Sequence, residues 1–198
     1  MQPTPMQGAR IAAVDLACRR GDRLLFKGVS LALGRGEALH VTGANGVGKS
    51  SLLRLLGGLA RPFAGAVERR GAAGLVDERL ALDPEATLGS ALAFWSGIDG
   101  GGAPAGIEVL GLAGLLEVPV RYLSTGQRKR AAMARLLAQD APIWLLDEPL
   151  NGLDINAVAL VERLTEDHLA AGGIVVVASH QPFASSRFRR LALEDFAA

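Results

Sequence analysis

The sequence feature that most constrains the fold is a glycine-rich segment at positions 43–50, which reads Gly-Ala-Asn-Gly-Val-Gly-Lys-Ser. It matches the pattern G-x-x-x-x-G-K-[ST] at every fixed position. The glycines let the backbone turn tightly and direct its N–H groups inward, which forms a concave nest for anions. An apolar run over residues 38–42 precedes the segment, and a helical pattern over residues 50–60 follows it. This order of strand, loop and helix predicts a phosphate-binding loop.

The side chains of the loop predict which ligand it would take. Lys49 places a positive charge where the β- and γ-phosphates of a nucleotide would lie, and the hydroxyl of Ser50 can hold Mg²⁺. The helix that follows directs its N-terminus at the phosphates. The predicted nucleotide-binding residues are Gly43, Ala44, Asn45, Gly46, Val47, Gly48, Lys49, Ser50 and Ser51. For the motif alone, a glycine-rich turn without a ligand is the alternative.

Composition limits the class of protein. The chain has 198 residues, is 49% hydrophobic and carries a net charge of +1, so one domain with a sizeable core is expected and nothing electrostatic favours nucleic acid as a partner. Cys18 is the only cysteine, which excludes an internal disulfide and fits a reducing cytosol. No apolar run reaches the ~18 residues needed to span a membrane, and residues 1–6 lack the apolar stretch of a signal peptide. We therefore expect any membrane role to come through a partner.

The first half of the chain is predicted to be rich in strands. Residues 10–42 contain short apolar runs, which we interpret as strands and turns broken by Gly21, Gly28, Gly34 and Gly36. Further strands are predicted at 65–68 and 73–76.

Residues 84–120 have a different pattern, which predicts a small helical insert. Helical spacing over 88–95 precedes a glycine-rich loop at 97–106, and a second helical stretch is predicted near 107–116.

The second half alternates helices and strands. Helices are predicted at 126–139 and at 156–171, the latter ended by Gly172 and Gly173. Strands are predicted at 143–146 and at 174–178. Because the last run is continuously apolar and rich in β-branched residues, it fits a strand covered on both faces. Such alternation predicts a mainly parallel sheet.

Acidic residues and a histidine follow these two strands. Asp147 is placed to be a ligand of the Mg²⁺ that Ser50 holds, and Glu148 to orient a water for attack on the γ-phosphate. An ordinary exit from a strand into a turn is the alternative for the acidic pair. His180 follows the next strand and could hydrogen-bond a γ-phosphate oxygen, or simply pack or face solvent. The predicted catalytic residues are Lys49, Glu148 and His180.

The pentapeptide at positions 123–127, Leu-Ser-Thr-Gly-Gln, predicts a helix start led by Ser124. Gly126 would let the backbone approach another group closely, and such a terminus binds anions. A plain N-cap without a ligand is the alternative. The basic cluster at 128–130 is predicted to be a solvated helix face, since no aromatic residues interleave with it as they do in nucleic-acid-binding segments.

Together these segments resemble the ATP-binding cassette of ABC transporters over nearly the whole chain. The segment 43–50 matches the Walker A motif, and 123–127 matches the LSGGQ signature with Thr125 in place of a glycine. The Walker B motif, catalytic glutamate, D-loop and switch histidine match 143–147, Glu148, Leu153-Asp154 and His180. The resemblance implies one domain over residues 1–198: an α/β P-loop NTPase core with a mainly parallel sheet, an N-terminal antiparallel β part and a small helical insert at about 84–140.

The resemblance also implies a mechanism and partners. Two cassettes would face head to tail as a homodimer, with ATP and Mg²⁺ on one Walker A motif closed over by the signature of the other. Ser124, Gly126 and Gln127 would thus bind the nucleotide in trans. Closure and hydrolysis would drive integral membrane subunits between two states, with no nucleic acid involved.

Four further stretches look like the ATP-binding subunit of the bacterial haem exporter used in cytochrome c maturation. They are residues 23–31, 59–62, 172–175 and 179–182. This likeness implies a peripheral protein on the cytoplasmic face of the inner membrane. An ATPase subunit of another small ABC exporter, a soluble cassette protein of DNA repair or translation, and a nucleotide-binding module without hydrolysis are the alternatives.

Two departures from the cassette pattern bear on the site. Cassettes stack adenine on an aromatic residue, whereas the matching place near Arg19, Arg20 and Gly21 has none; an arginine plane can stack on a base instead. Cassettes also carry a glutamine in the loop that enters the helical insert, where this chain has Asp77-Glu78-Arg79. Glu78 could replace the glutamine as an oxygen ligand, or the Mg²⁺ contact and the coupling could differ; the sequence leaves open whether Glu78 or Arg79 takes its place. His40 and His168 are isolated and are expected to be structural or exposed.

Overall fold

The computed structural model describes residues 8–77, 81–99 and 106–198. The elements before the helical insert are β1 (Arg10–Arg20), β2 (Arg23–Leu33), β3 (Ala38–Thr42), α1 (Lys49–Leu56), β4 (Ala64–Arg70) and β5 (Ala73–Val76). The later ones are α2 (Leu88–Asp99), α3 (Thr125–Ala138), β6 (Ile143–Asp147), α4 (Ile155–Ala170), β7 (Ile174–Ala178) and β8 (Phe188–Ala192). Short 3₁₀ helices span Ala113–Leu115, Val120–Tyr122 and Leu193–Phe196.

Two sheets organise the fold. A five-stranded sheet has the order β5-β6-β7-β3-β8, and each neighbouring pair is parallel. A three-stranded sheet has the order β2-β1-β4, with antiparallel pairs. The predicted class, α/β with a mainly parallel sheet and an N-terminal antiparallel part, is confirmed.

The parallel sheet is covered on both faces, as the sequence of its central strands predicts. All residues of β6 and β7 are buried. Side chains alternate between faces along a strand, so Trp144 and Leu146 pack into a core shared with α3, whereas Ile143 and Leu145 pack into a core shared with α1 and the antiparallel sheet. The carboxyl edge of the parallel sheet is therefore held in place by a packed core on each face.

Gly28 does not break a strand, contrary to the prediction. It lies inside β2 with a φ of 79°, beside a register shift in the pairing with β1. A left-handed glycine in a strand is typical of a bulge, which bends the strand without ending it.

The prediction of a second helix near 107–116 is also wrong. The segment forms turns and the single 3₁₀ helix Ala113–Leu115. Gly106 and Gly111 have φ values of 80° and 63°, a left-handed conformation that interrupts an α-helix. Leu110 and Leu112 are buried, so the apolar spacing that suggested a helix comes from side chains anchoring turns in the core.

Other boundaries shift by a few residues. Helix α1 ends at Leu56, because Gly58 turns the chain with a φ of 72°. Helix α2 continues through Gly97 to Asp99; the rest of the predicted loop up to residue 105 lies outside the described residues. Within the described ranges, no helix is both long and apolar enough to cross a bilayer.

Candidate active site

A cleft of about 540 Å³ lies at the carboxyl edge of the parallel sheet. Strands β3, β6 and β7 are parallel, so the segments that follow them leave the sheet at the same edge, where ligands bind in such folds. The cleft is lined by Arg20, Arg23, Leu25, Asn45, Gly46, Gly48, Lys49, Ser50, Ser51, Asp147, Glu148, Asn151 and His180. The structure thus brings together the phosphate-binding loop, the acidic pair and the histidine.

The loop itself has the backbone that its glycines allow. Gly43, Gly46 and Gly48 have φ values of 144°, 84° and 113°. A Cβ on Gly48 would lie 3.0 Å from the ring of Phe26, and one on Gly43 would lie 2.9 Å from the side chain of Val47. At two of the three positions a Cβ would therefore also crowd a neighbouring side chain.

Lys49 is folded back over the loop. It is only 7% exposed, and its Nζ donates to the carbonyl oxygens of Gly43, at 2.8 Å, and Ala44, at 3.3 Å. The same atom lies 3.9 Å from Oε1 of Glu148. The ammonium is therefore held inside the loop, beside the carboxylate.

Glu148 is a buried carboxylate at the back of the cleft. Its Oε2 lies 3.0 Å from Nδ1 of His180, and this oxygen has no hydrogen-bond partner among the described residues. Such a pair is charged only when His180 is protonated. The half-exposed imidazole and Lys49 therefore flank the carboxylate on two sides.

Asp147 and Ser50 are the residues that could share a divalent cation. Both line the cleft, and Asp147 is buried at the end of β6. No cluster of three or more acidic, histidine or cysteine side chains suited to a metal occurs in the described ranges. A nucleotide-bound Mg²⁺ needs no such cluster, because it takes one or two protein oxygens and completes its shell with phosphate and water. The pair fits that requirement.

The segment Ser124–Gln127 forms a capping box at the start of α3. Oγ of Ser124 accepts from the N–H of Gln127 at 3.2 Å, and Oε1 of Gln127 accepts from the N–H of Ser124 at 2.8 Å. The predicted N-cap is confirmed. None of Ser124, Gly126 and Gln127 lines the cleft. Instead, a Cβ on Gly126 would lie 3.2 Å from the carbonyl oxygen of Gly152.

The structure shows the surroundings of the two places where the sequence departs from the cassette pattern. Arg20 and Arg23 line the cleft at the end of the β1–β2 hairpin, whereas the guanidinium of Arg19 stacks on Phe63 at 4.8 Å. Asp77 pairs with Arg54 at 3.0 Å. The candidate replacements for the glutamine, residues 78 and 79, lie outside the described residues.

The basic cluster on α3 is not a solvated face, contrary to the prediction. Lys129 is 9% exposed and donates to the backbone carbonyl of Glu148. Arg130 is half-buried and donates to the carbonyl oxygen of Leu110 at 2.8 Å. These two cations hold neighbouring segments onto α3, and only Arg128 of the three lacks such a contact in the described part of the chain.

Sequence reasoning also missed Glu194, in the last 3₁₀ helix. Its Oε1 accepts from the N–H of Ala44 in the phosphate-binding loop at 2.6 Å. The two residues are 150 positions apart, so no local pattern signals the contact. The carboxylate fixes the first peptide group of the loop.

His40 and His168 both have structural contacts, as expected. Nε2 of His40 lies 3.0 Å from the carbonyl oxygen of Ser179. His168 is buried and stacks on Trp144, with ring centroids 3.9 Å apart. Burial lowers the pKa of His168 to about 4. Neither imidazole lines the cleft.

Three features define a P-loop nucleoside triphosphatase: the order of the parallel sheet, the phosphate-binding loop after β3 and the acidic pair at the end of β6. The ABC transporter family model matches residues 26–151. The chain belongs to the ABC transporter family and, within it, to the cytochrome c biogenesis ATP-binding export proteins. It is therefore an ATP-hydrolysing subunit of the ABC type.

Curated relatives match almost the whole chain. The cytochrome c biogenesis ATP-binding export protein CcmA of Novosphingobium aromaticivorans is 59% identical over 96% of this chain and 99% of that protein. The protein of the same name from Zymomonas mobilis is 50% identical over 96% of this chain and 87% of its own.

Solved structures agree on the fold. The ATP-binding subunit of an ABC transporter superposes with a TM-score of 0.82 at 21% identity, covering 92% of this chain and 86% of its own. A dimeric ATP-binding cassette in a post-hydrolysis state, bound to ADP and Pi, gives 0.75 at 24% identity, covering 92% and 94%.

Proposed function

We propose that this chain hydrolyses ATP at the cleft between β3 and β6, and that hydrolysis drives haem export for cytochrome c biogenesis. The observation that carries the proposal is the meeting of Lys49, Asp147, Glu148 and His180 in one cleft beside the phosphate-binding loop. The two relatives described above are both named as ATP-binding export proteins of cytochrome c biogenesis, which supports haem export as the process.

Nucleotide binding is assigned to the loop. Its inward N–H groups and the ammonium of Lys49 would hold the β- and γ-phosphates, and the N-terminus of α1 would add its positive dipole. Ser50 and Asp147 would hold Mg²⁺, which neutralises phosphate charge when bound. Arg20 and Arg23, which line the same cleft, are placed to stack on the adenine in the absence of an aromatic side chain at the hairpin.

Hydrolysis is assigned to Glu148 and His180. The carboxylate of Glu148 would accept a hydrogen bond from a water and align it for in-line attack on the γ-phosphorus. Nδ1 of His180 already lies 3.0 Å from that carboxylate. Because the side chain of His180 is 57% exposed, its ring would have room to turn toward a γ-phosphate oxygen and donate to it.

A second cassette would complete the site. Ser124, Gly126 and Gln127 lie outside their own chain's cleft, so the nucleotide they would bind must be on another chain. Tyr122, two residues before Ser124, is 68% exposed, and Ile155, two residues after the Leu153 that lies beside Gly126, is 84% exposed. A homodimer with the two cassettes head to tail would cover them. Coupling requires that ATP bind this closed state better than the open one.

Integral membrane subunits would dock at the helical insert. A mainly apolar groove of about 520 Å³ runs along α2, with Phe94 62% exposed at its side. Its occupant in this proposal is a cytoplasmic segment of the membrane partner, since an export ATPase must transmit its motion to a channel. The chain would then lie peripherally on the cytoplasmic face of the bacterial inner membrane.

Steady-state ATP turnover tests the chemistry. Glu148→Gln should lower kcat by about 100-fold or more, the range expected for loss of a positioned base, while ATP binding is retained. Glu117 is an exposed carboxylate in the helical insert. The variant Glu117→Gln is therefore the matched control and should hydrolyse ATP at the wild-type rate. If wild type and Glu148→Gln are equally inactive even with membrane partners present, the hydrolytic proposal is wrong.

Affinity purification from membranes tests the assembly. The tagged full-length chain should recover integral membrane proteins in detergent. Recovery with ribosomes or nucleic acid, and never with membrane proteins, would contradict the transporter proposal and favour a soluble cassette protein.

A further inference from the structure

Helix α3 holds a buried cation against the backbone of Glu148. Lys129 is 9% exposed, and its ammonium donates to the backbone carbonyl oxygen of Glu148. A buried ammonium is retained only where it is hydrogen-bonded, because burial removes its hydration. The partner here is the peptide of the residue to which we assign the hydrolytic step.

The backbone of Glu148 needs such support. Its φ is 46°, in the left-handed region that residues with a side chain rarely adopt. A conformation of this kind persists only when its surroundings fix it. The N–H of Glu148 donates to the carbonyl oxygen of Ala178 at 2.8 Å, and its carbonyl also accepts from the N–H of Asn151 at 3.4 Å. Strand β7 therefore fixes one side of the residue, and Lys129 helps to fix the other.

The direction of the carboxylate depends on that conformation. With φ at 46°, the side chain reaches to 3.9 Å from Nζ of Lys49 and 3.0 Å from Nδ1 of His180. A relaxed, negative φ would rotate the Cα–Cβ bond and move the carboxylate relative to the phosphate-binding loop.

The first turn of α3 contacts the other end of the segment that begins at Glu148, residues 148–152. A Cβ on Gly152 would lie 3.1 Å from the side chain of Thr125, and one on Gly126 would lie 3.2 Å from the carbonyl oxygen of Gly152. Helix α3 thus contacts both ends of the segment 148–152. This is the helix whose N-cap is Ser124, the start of the signature segment.

We propose that Lys129 is a positioning residue that aims Glu148 at the phosphate-binding loop and links it to the signature end of α3. A displacement of α3, such as the binding of a partner's nucleotide at Ser124 would cause, moves the Glu148 peptide with it. Lys129 is not itself a catalytic residue, since it does not line the cleft. The inference rests on the proposed role of Glu148.

Turnover kinetics of the full-length chain, with any membrane proteins that co-purify, test the inference. Lys129→Met should lower kcat by about 10- to 100-fold, as small misplacements of catalytic groups do, and leave KM and ATP affinity within a few fold. Lys129→Arg, which keeps a cationic donor, should recover most of the rate. Arg128→Met, one position earlier on α3, is the matched control and should match wild type. A Lys129→Met rate equal to wild type would overturn the inference.

A double mutant separates positioning from folding. In a Glu148→Gln background nothing remains for Lys129 to aim, so Lys129→Met should not lower the residual rate further. The same fractional loss in both backgrounds would overturn the inference, as would a kcat that is normal once it is corrected for the folded fraction. If Lys129→Met does not fold, Lys129→Gln takes its place, and a wild-type kcat in that variant has the same meaning. Loss of activity in Glu148→Gln with full activity in the Lys129 variants would remove this inference and leave the proposed function intact.

Discussion

At the scale of single residues, the buried imidazole of His168 makes the stability of the fold depend on pH. Burial lowers its pKa to about 4, partly offset by the backbone of Pro142 and the charge of Asp140. In the unfolded chain the ordinary pKa is about 6.5. Between these two values the unfolded state binds more protons than the folded state, so stability is complete above pH 6.5 and is lost as the pH falls toward 4.

Urea unfolding at pH 7.5 and pH 5.0 checks this prediction. His168 should account for a loss of about 2 kcal/mol over that interval, which follows from the shift between pKa values of about 6.5 and about 4. His168→Phe keeps a ring over Trp144 but cannot titrate, and its pH dependence should be shallower by that amount. Parallel pH profiles for the two proteins would show that burial of His168 has no such effect.

Local chemistry made most residues of the cleft predictable, but not Arg23, Leu25 or Asn151, which also line it. Lys49 belongs to a contiguous motif. Asp147 ends one clearly apolar strand, Glu148 follows it, and His180 comes after another, so their common edge could be inferred. Their roles in ATP hydrolysis stay predictions. Lys129 was misjudged because a basic triplet is usually solvated, and its contact with Glu148 depends on how α3 packs, which no local pattern encodes.

At the scale of elements, continuous apolar runs predicted strands correctly, whereas a strand that carries charged residues was missed. Strand β7 is apolar throughout and β6 is apolar up to Asp147, and the burial of both strands is confirmed. Strand β8 was not predicted, because Arg189 and Arg190 stand in it; it lies at the edge of the sheet, beside β3, where exposed charges are tolerated.

Arg135 of α3 contributes two polar contacts to the docking of α2 on α3. The guanidinium of Arg135 lies 3.5 Å from the ring centroid of Trp95, and its Nε lies 3.8 Å from Oδ2 of Asp99. Arg135→Met should weaken this contact by about 1 kcal/mol, the size of a partly buried cation–π pair. Hydrogen exchange should then become faster in α2 but not in β6 or β7. Arg163→Met, an exposed arginine on α4, is the control and should leave α2 unchanged. Unaltered exchange in α2 of the Arg135 variant would contradict the prediction.

At the scale of the whole molecule, sheet topology explains why a single chain has only half of the proposed site. The parallel strands send the phosphate-binding loop, the acidic pair and His180 to one edge. Helix α3 starts from the helical insert, and its N-cap Ser124 is exposed outside that cleft. Two copies related by a two-fold axis would place each Ser124 against the other's loop.

Mixing two inactive variants tests this arrangement. Lys49→Ala removes the cation from the phosphate-binding loop. Ser124→Asp retains an N-cap, since aspartate caps as well as serine, but would place a negative charge against the partner's phosphates. A mixed dimer has one intact site, because the loop of the Ser124→Asp chain faces the unaltered Ser124 of the other chain. Random assortment makes about half of the dimers mixed, so turnover should return to about a quarter of wild type if the two sites act independently. Ser124→Asn keeps the cap without the charge and should be active alone. If the two sites act independently and the mixture shows only the sum of the two separate rates, Ser124 does not complete a site in trans.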